Sequence, residues 1–227
     1  MRRAFAVALF IPGLCCALDE FESARLNMVR DQIEARDIRN TLVLDAMRAT
    51  PRHLFVPTPY RFMAYEDHPL PIGYGQTISQ PYIVALMTEL LDPRPGDRVF
   101  EVGTGSGYQA AVLARIVKEV YTIEIVPELA RRASDLLRQL GYRNVFVREG
   151  DGYKGWPEKT PFDRIILTAA PAEVPKTLTD QLKTGGRLVA PVGEGIQQLM
   201  VMRKRNDGSL ECQASIPVRF VPMVPGR

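Results

Sequence analysis

A chain of 227 residues is long enough for one sizeable domain with a continuous core. Apolar residues make up 46% of it and charged residues 24%, the proportions of an ordinary soluble globular protein. The net charge is only +3 and no block of five or more like charges occurs, so the charge pattern argues against a protein that binds nucleic acid through a basic arm. We expect no nucleic-acid partner.

The chain begins with a basic segment and an apolar run over residues 4–18. This arrangement is typical of a secretory signal, with small residues near Ala17 where cleavage would occur, and it is too short for a comfortable membrane span. Alternatively, translation begins near Met28 and the preceding residues do not belong to the protein. On either interpretation residues 1–20 are a leader, and residues 21–227 are predicted to form a single domain.

Residues 21–75 are predicted to form a helical preamble that packs on the main domain. Apolar residues recur there at three- and four-residue intervals, the spacing of a buried helix face. Prolines then break the chain into irregular structure. The apolar residues are Leu26, Val29 and Ile33, then Leu42, Val43, Ala46 and Met47, and the prolines are Pro51, Pro57 and Pro59.

Beyond Gly75 the sequence alternates between short apolar runs and helical patterns, as in an open α/β sheet. Pro81 suits the first position of a helix, with Ser79 or Gln80 available as its cap, and Gly185-Gly186 is interpreted as the end of a later helix. The predicted strands are 98–102, 120–124, 144–148, 163–168 and 187–191, and the predicted helices are 81–91, 108–117, 127–140 and 175–182.

The last part of the chain has a different pattern. Residues 199–205 and 210–215 flank Asn206-Asp207-Gly208, which is a signal for an antiparallel hairpin. The sequence therefore predicts an α/β fold in which a mixed sheet ends in a C-terminal antiparallel hairpin and is preceded by N-terminal helices.

A glycine-rich turn, FEVGTGSGY at residues 100–108, connects the predicted strand 98–102 to the predicted helix 108–117. A dinucleotide-binding turn needs a small residue at position 108, where this chain has tyrosine, and no Gly-Lys-Ser/Thr follows as in a P-loop. Glu101 stands at the start of the turn, where a carboxylate repels a pyrophosphate but suits a ligand that carries an ammonium group. The glycines of the turn are Gly103, Gly105 and Gly107.

S-adenosylmethionine meets these requirements because it has no phosphate and carries a cationic amino group and a cationic sulfonium. Glu124, at the end of the second strand, is placed to accept from the ribose hydroxyls. Asp151 and Gly152, after the third strand, are placed to hold the adenine edge. Alone, Glu124 could equally be a surface acid and Asp151 a turn residue. Acids at three successive strand ends favour the binding site.

Several longer motifs indicate a family. The chain resembles the protein-L-isoaspartate O-methyltransferases over residues 24–224, and the fold implied is a Rossmann-like class I S-adenosylmethionine-dependent methyltransferase. The segment GQTISQP is specific to this family, whereas the glycine turn is shared by many methyltransferases. The matching segments are PRHLFVP (51–57), PIGYGQTISQP (71–81), EVGTGSGY (101–108), EGDG (149–152), PFD (161–163), TAAP (168–171) and VRFVP (218–222).

The resemblance implies transfer of a methyl group from S-adenosylmethionine to the free α-carboxylate of L-isoaspartyl residues in damaged proteins and peptides. The resulting methyl ester returns to a succinimide and then partly to normal aspartyl, which makes the reaction a protein repair. The resemblance also assigns Ser79 a catalytic role and places the surrounding loop, with Gln76 and Thr77, against cofactor and substrate. Val224 departs from some relatives, which have threonine there, so that edge of the site stays unassigned.

The loop GYGQTISQP at residues 73–81 contains no acid, base, histidine or cysteine. None is needed, because a carboxylate with a pKa of about 4 is already ionised at neutral pH and the sulfonium carries an activated methyl group. What remains is to align the reacting atoms and exclude water. We predict that Ser79, helped by Thr77, orients the substrate. The alternative is that Ser79 only caps the helix that begins at Pro81.

Other functions remain open. A methyltransferase acting on a small-molecule carboxylate or hydroxyl is the main alternative, and a cofactor-binding module without catalysis is a second one. A nitrogen methyltransferase has less support, because residues 167–171 read LTAAP and not an Asn/Asp-Pro-Pro-Tyr-like run.

The remaining expectations concern metal, partners and compartment. The three cysteines lack metal-ligand spacing and the two histidines are isolated, so we predict no metal. We expect a monomer whose partners are damaged proteins, with no membrane partner. Because S-adenosylmethionine is made in the cytosol, we favour a cytoplasmic protein, with an exported one as the alternative.

Overall fold

The computed structural model describes residues 12–226, with side chains from residue 20 onward. Residues 1–11, which hold much of the predicted leader, lie outside the described residues. Within the described range, no helix is both long and apolar enough to cross a membrane.

The described part of the chain contains a two-stranded hairpin followed by a seven-stranded sheet. The hairpin is β1 (Leu70–Gly73) with β2 (Gln76–Ile78). The sheet comprises β3 (Arg98–Val102), β4 (Glu119–Glu124), β5 (Val145–Glu149), β6 (Phe162–Leu167), β7 (Leu182–Val192), β8 (Gln197–Lys204) and β9 (Leu210–Val218). Its order is β5-β4-β3-β6-β7-β8-β9; β3 to β7 are parallel, and β8 and β9 are antiparallel.

Helices lie between these strands and before them. A π-helical turn (Met28–Ile33) and a 3-10 turn (Glu34–Arg36) join the first two helices. The α-helices are α1 (Pro12–Asn27), α2 (Thr41–Ala49), α3 (Pro81–Leu91), α4 (Tyr108–Ala114), α5 (Pro127–Gln139) and α6 (Lys176–Gln181).

The central strands are buried on both faces because successive residues of a strand point to opposite sides of the sheet. Val99 of β3 belongs to the apolar cluster that includes α3, α4 and α5, together with the helical preamble. The next residue, Phe100, belongs to the cluster on the other face, which includes Leu178 of α6. The same alternation holds in β6, where Ile165 lies in the second cluster and Ile166 in the first.

The predicted helix end at Gly185-Gly186 is wrong, because β7 begins at Leu182 and continues through both glycines. Between the register pairs Phe162–Leu182 and Arg164–Arg187, β7 contributes more residues than β6. The extra residues form a bulge, a common position for glycine in a strand. A Cβ on Gly186 would lie 2.7 Å from the carbonyl oxygen of Lys183, so the bulge leaves no room for a side chain.

The helical preamble is attached to α3 through Glu89, whose Oε1 accepts hydrogen bonds from the amides of Arg39 and Asn40, both at 2.7 Å. Val29 and Ile33 are fully buried as their spacing predicts. Leu26 and Leu42 are 46% and 42% exposed, so the apolar stripes of these two helices are only partly covered.

Candidate active site

A cavity lies at the carboxyl ends of β3, β4, β5 and β6. The chain runs from β3 to β4 and β5 on one side and then returns to β6 on the other side of β3, which is the point where open α/β sheets bind ligands. The cavity is lined by residues 102–106, 108 and 109 at the end of β3 and after it, by 123–125 at the end of β4, by Gly152 after β5 and by 168–169 after β6. Residues 76–79 and 221–224 line the opposite side.

The glycine turn is held in place from the strand beside it. The Thr168 hydroxyl donates to the carbonyl oxygen of Gly103 at 2.6 Å and lies 3.1 Å from that of Val102. Gly103 has a φ of +97°, and a Cβ there would lie 2.5 Å from the Thr168 oxygen. Position 103 therefore requires glycine, both for its backbone conformation and for its close contact with Thr168.

Glu124 lies where the sequence predicts it. Its Oε2 accepts from the amide of Gly105 at 2.8 Å, its Oε1 accepts from the amide of Val126 at 3.0 Å, and the side chain lines the cavity while being only 6% exposed. Two backbone donors thus fix the carboxylate, and each oxygen keeps further acceptor capacity for a ligand hydroxyl.

Glu101 is completely buried and does not line the cavity. Neither of its carboxylate oxygens has a hydrogen-bond partner among the described residues. Burial raises the pKa of Glu101 to about 8; the nearby Thr122 side chain opposes this shift, and the neighbouring carboxylate of Glu124 adds to it. Because the side chain does not line the cavity, a contact between Glu101 and a cationic group of a ligand stays a prediction.

The Glu101→Gln variant of the ligand-free protein should lose a pH dependence of stability. The ordinary pKa of 4.5 applies to the unfolded chain, so between pH 4.5 and about 8 the folded state binds more protons than the unfolded state. The free energy of unfolding of the unsubstituted chain therefore falls as pH rises through this window. Urea unfolding should be measured at pH 5 and at pH 8.5. From the lower to the higher pH, the free energy of unfolding of the variant should rise by a few kcal/mol relative to that of the unsubstituted chain.

Glu149→Gln is the matched control, because Glu149 is exposed at the end of β5. Its stability should follow the pH dependence of the unsubstituted chain. Parallel pH curves for Glu101→Gln and the unsubstituted chain would contradict the assignment of the raised pKa.

Asp151 is placed differently from Glu124. Its Oδ1 accepts from the amide of Tyr153 at 2.9 Å and so caps the short turn Gly152–Lys154. Gly152, and not Asp151, lines the cavity. Oδ1 of Asp151 therefore acts as expected for a residue that only stabilises a turn. A contact between Asp151 and the adenine edge stays a prediction.

Gly152→Ala should weaken binding of S-adenosylmethionine. A Cβ there would lie 2.4 Å from Cγ1 of Val102, which is nearly fully buried, so either this segment or Val102 must shift, and both line the cavity. Overpacking of this kind typically costs about 1–3 kcal/mol of folding stability. Because the residues that must shift line the cavity, calorimetry should also show the dissociation constant of S-adenosylmethionine rising, by roughly tenfold. Gly96→Ala is the control, since nothing lies within 4 Å of a Cβ at that turn. Equal affinity in both variants would contradict the prediction.

Gly105 lines the cavity, whereas Gly107 does not. Gly107 is the residue before α4, with a φ of +85°, and a Cβ there would lie 3.1 Å from Leu137 of α5. Its role in this structure is to let the chain enter α4 close to α5. A contact with the cofactor is not needed to explain this glycine.

The loop that contains Ser79 follows the β1–β2 hairpin. Tyr74 and Gly75 form the two-residue turn of this hairpin, and both have positive φ, as a type I′ turn requires. Gln76, Thr77 and Ser79 all line the cavity.

A second cavity of about 460 Å³ adjoins the first on the outer side of this loop. Four residues line both cavities and mark their junction: Thr77, Ser79, Thr168 and Val221. All four are uncharged, and three of them carry hydroxyls. The outer cavity is also lined by Pro69, Gln80, Ile83, Ile196 and residues 217–220.

The N-cap residue of α3 is Gln80, one of the two residues predicted for that position, whereas the alternative that Ser79 caps the helix is wrong. Gln80 is the residue before the helix, but it makes no capping bond, and the Ser79 hydroxyl makes no hydrogen bond within the described chain. The amide of Tyr82, in the first turn, donates instead to Oδ1 of Asp67 at 3.0 Å. Ser79 is therefore not needed to cap the helix.

The C-terminal edge of the site, which the resemblance located near Val224 and left unassigned, is formed by residues 221–224. Val224 lines the cavity and is half exposed, beside Met223, whose amide donates to the carbonyl of Ala170 at 2.8 Å. Thr168 could have been found, since it directly follows a predicted strand at the ligand edge of the sheet. Residues 221–224 carry no local signal, because only the folded chain brings them there.

Among the described residues, no group of three His, Cys, Asp or Glu side chains could hold a metal ion. The sheet topology, the glycine turn after its central strand and the acid at the end of the next strand define a Rossmann-like class I S-adenosylmethionine-dependent methyltransferase, which confirms the predicted fold class. The chain belongs to the protein-L-isoaspartate(D-aspartate) O-methyltransferase family, whose sequence model matches residues 23–227.

Individual relatives support this assignment. A protein-L-isoaspartate O-methyltransferase of Gloeobacter violaceus is 56% identical over 197 residues, which are 86% of this chain and 96% of the relative. One from Opitutus terrae is 54% identical over 227 residues, 97% of this chain and 96% of its own. A solved protein-L-isoaspartate O-methyltransferase matches with a TM-score of 0.77 at 29% identity, over 88% of this chain and 65% of its own.

A second solved structure, from Plasmodium falciparum and in complex with S-adenosyl-L-homocysteine, has a TM-score of 0.76 at 24% identity and covers 88% of this chain and 98% of its own. At that identity it shows a common fold.

Proposed function

We propose that this chain is a protein repair enzyme that transfers a methyl group from S-adenosylmethionine to the free α-carboxylate of L-isoaspartyl residues. The observation that carries the proposal is the position of Ser79, at the junction of the cofactor cavity and the outer cavity, with its hydroxyl free of any hydrogen bond to the described chain. Membership of the family supports the substrate class.

The residues of the cofactor cavity fit the donor. Glu124 presents a carboxylate fixed by two amides, which suits a pair of ribose hydroxyls, and the unpartnered Glu101 suits a cationic group. We further propose that Asp151 and Gly152 hold the adenine edge and that Gln76 and Thr77 close the cavity. When bound, S-adenosylmethionine supplies an activated methyl group.

The uncharged junction explains how the site works without a general base. A substrate carboxylate is ionised at neutral pH, so it needs orientation and exclusion of water, but no proton acceptor. The Ser79 hydroxyl can donate a hydrogen bond to one carboxylate oxygen and leave the other to attack. A lysine or arginine at the junction would bind the carboxylate more tightly but reduce its nucleophilicity.

The outer cavity favours a peptide over a small molecule. It opens at the surface, where Ile196 is 77% exposed and Arg219 is exposed beside it. A cavity that reaches the surface in this way can admit one residue of a long chain while the flanking residues stay outside. A small-molecule methyltransferase gains more from an enclosed substrate pocket.

The proposal is tested with tritiated S-adenosylmethionine and two peptides that differ only in an isoaspartyl or a normal aspartyl residue. We expect label in the isoaspartyl peptide alone. Equal labelling of both would exclude repair and favour the small-molecule alternative. Binding of the cofactor in calorimetry without any transfer would indicate a module that has lost catalysis.

We also propose that the protein is monomeric and works in the cytoplasm, where its donor is made. Sequencing the N-terminus of the native protein tests the compartment, and cleavage after Ala17 would contradict it.

A further inference from the structure

The N-terminus of α3 directly follows Ser79 and is held from outside the helix. Pro81 occupies the first helical position, and the first free amide, that of Tyr82, donates to Oδ1 of Asp67 at 3.0 Å. The preceding side chain, Gln80, donates through Nε2 to Oδ2 of the same carboxylate at 2.7 Å. One carboxylate, from the segment before β1, thus holds two of the three residues that follow Ser79.

Asp67 is itself fixed from the helical preamble. Nη1 of Arg36 lies 2.5 Å from Oδ2 of Asp67, and the Arg36 guanidinium lies 3.4 Å from the centre of the Tyr82 ring. The Asp67 side chain is 21% exposed, so these charge-assisted contacts are only partly screened by solvent. Arg36, Asp67, Gln80 and Tyr82 form a closed cluster, which we call the Asp67 clamp.

The clamp has a consequence for Ser79. A helix start normally draws its cap from the side chain of the residue just before it, which here is Gln80. Asp67 caps the helix instead and also binds the Gln80 side chain, so one carboxylate fixes both the helix start and the residue next to Ser79, whose hydroxyl lies at the junction of the two cavities. We infer that Asp67 is a positioning residue that sets the place of the Ser79 hydroxyl for the substrate carboxylate; this inference rests on the proposed function.

Asp67→Asn tests the inference with little change in size. The asparagine oxygen can still accept from the Tyr82 amide, but its NH2 group faces the donors of Gln80 and Arg36, so two charge-assisted contacts are lost. We expect kcat/KM for the isoaspartyl peptide to fall roughly tenfold or more, since small misplacements of a positioning group are costly. The dissociation constant of S-adenosylmethionine should stay within about twofold.

A double-mutant cycle separates positioning from simple stabilisation. If Asp67 acts through Ser79, adding Asp67→Asn to Ser79→Ala should cause little further loss, because the group being positioned is already gone. Additive losses would overturn the inference, and so would unchanged kinetics in Asp67→Asn. Asp45→Asn is the matched control, since Asp45 makes an exposed ion pair with Arg48 in the preamble.

If Asp67→Asn does not fold, Arg36→Met is tested in its place. That change removes the guanidinium that contacts Asp67 and leaves the hydrogen bonds of Asp67 with Gln80 and with the Tyr82 amide in place. A smaller loss that also vanishes in the Ser79→Ala background supports the inference, and an additive loss overturns it. The unsubstituted enzyme is assayed in parallel. If it fails to methylate the isoaspartyl peptide, the proposed function is wrong; if it succeeds and the cycle is additive, only the inference is wrong.

Discussion

Replacing Ser79 by alanine should lower kcat for an isoaspartyl peptide by roughly 10²-fold, because the attacking oxygen loses the group that orients it and a small misplacement can cost a factor of this size. The dissociation constant of S-adenosylmethionine should stay within about twofold, because the hydroxyl makes no bond that shapes the cavity. Ser79 is half-buried at the junction of the two cavities, where a substrate carboxylate must enter. Steady-state kinetics and calorimetry on the same preparation measure the two effects.

Ser23→Ala provides a matched control, since Ser23 is exposed on α1 and lines neither cavity. It should match the unsubstituted enzyme in both measurements. Equal losses of turnover and cofactor affinity in Ser79→Ala would mean that the residue is structural, and the proposed orientation of the carboxylate would then be wrong.

Replacing Glu124 by alanine should weaken binding of the cofactor more than it lowers turnover, which is the opposite of the effect expected for Ser79→Ala. The variant loses the acceptor that the Gly105 and Val126 amides share, as well as the carboxylate that faces the cavity. A hydrogen bond to a charged group contributes about 1.5–3 kcal/mol, so the dissociation constant of S-adenosylmethionine should rise roughly 10²-fold or more. At saturating cofactor, kcat should fall much less than in Ser79→Ala.

Glu149→Ala is the control for this experiment. Glu149 pairs in register with Glu124 on the neighbouring strand, but it is exposed and does not line the cavity. Its cofactor affinity should be unchanged. Unaltered affinity in Glu124→Ala itself would remove the main support for placing the ribose there.

Local patterns predicted the succession of strands and helices along the chain well, because strands with apolar residues at successive positions and helices with apolar stripes carry their own signals. β3 was predicted to its exact bounds at 98–102, and α3 at 81–91. The bulge in β7 was missed because Gly185-Gly186 has the same local appearance as a helix stop. Only the pairing with β6 distinguishes the two.

The site was partly predictable for a similar reason. Parallel strands place their carboxyl ends at one edge, so residues such as Glu124 and Gly152 could be assigned to the cavity from their position after a strand. The same rule could not tell that Glu101 would be buried next to the cavity and not exposed in it. Nor could it show that Asp67 holds the start of α3, since that contact spans 15 residues with no periodic signal.

The position of β9 at the margin of the sheet has a consequence for behaviour at high concentration. An outermost strand offers free backbone groups to which another extended chain can add, which is a route to aggregation. Here the strand carries the charge of Glu211 near one end and lacks an amide proton at Pro217 near the other. Both features discourage such an addition, which suits a protein that must meet damaged, partly unfolded chains without being captured by them.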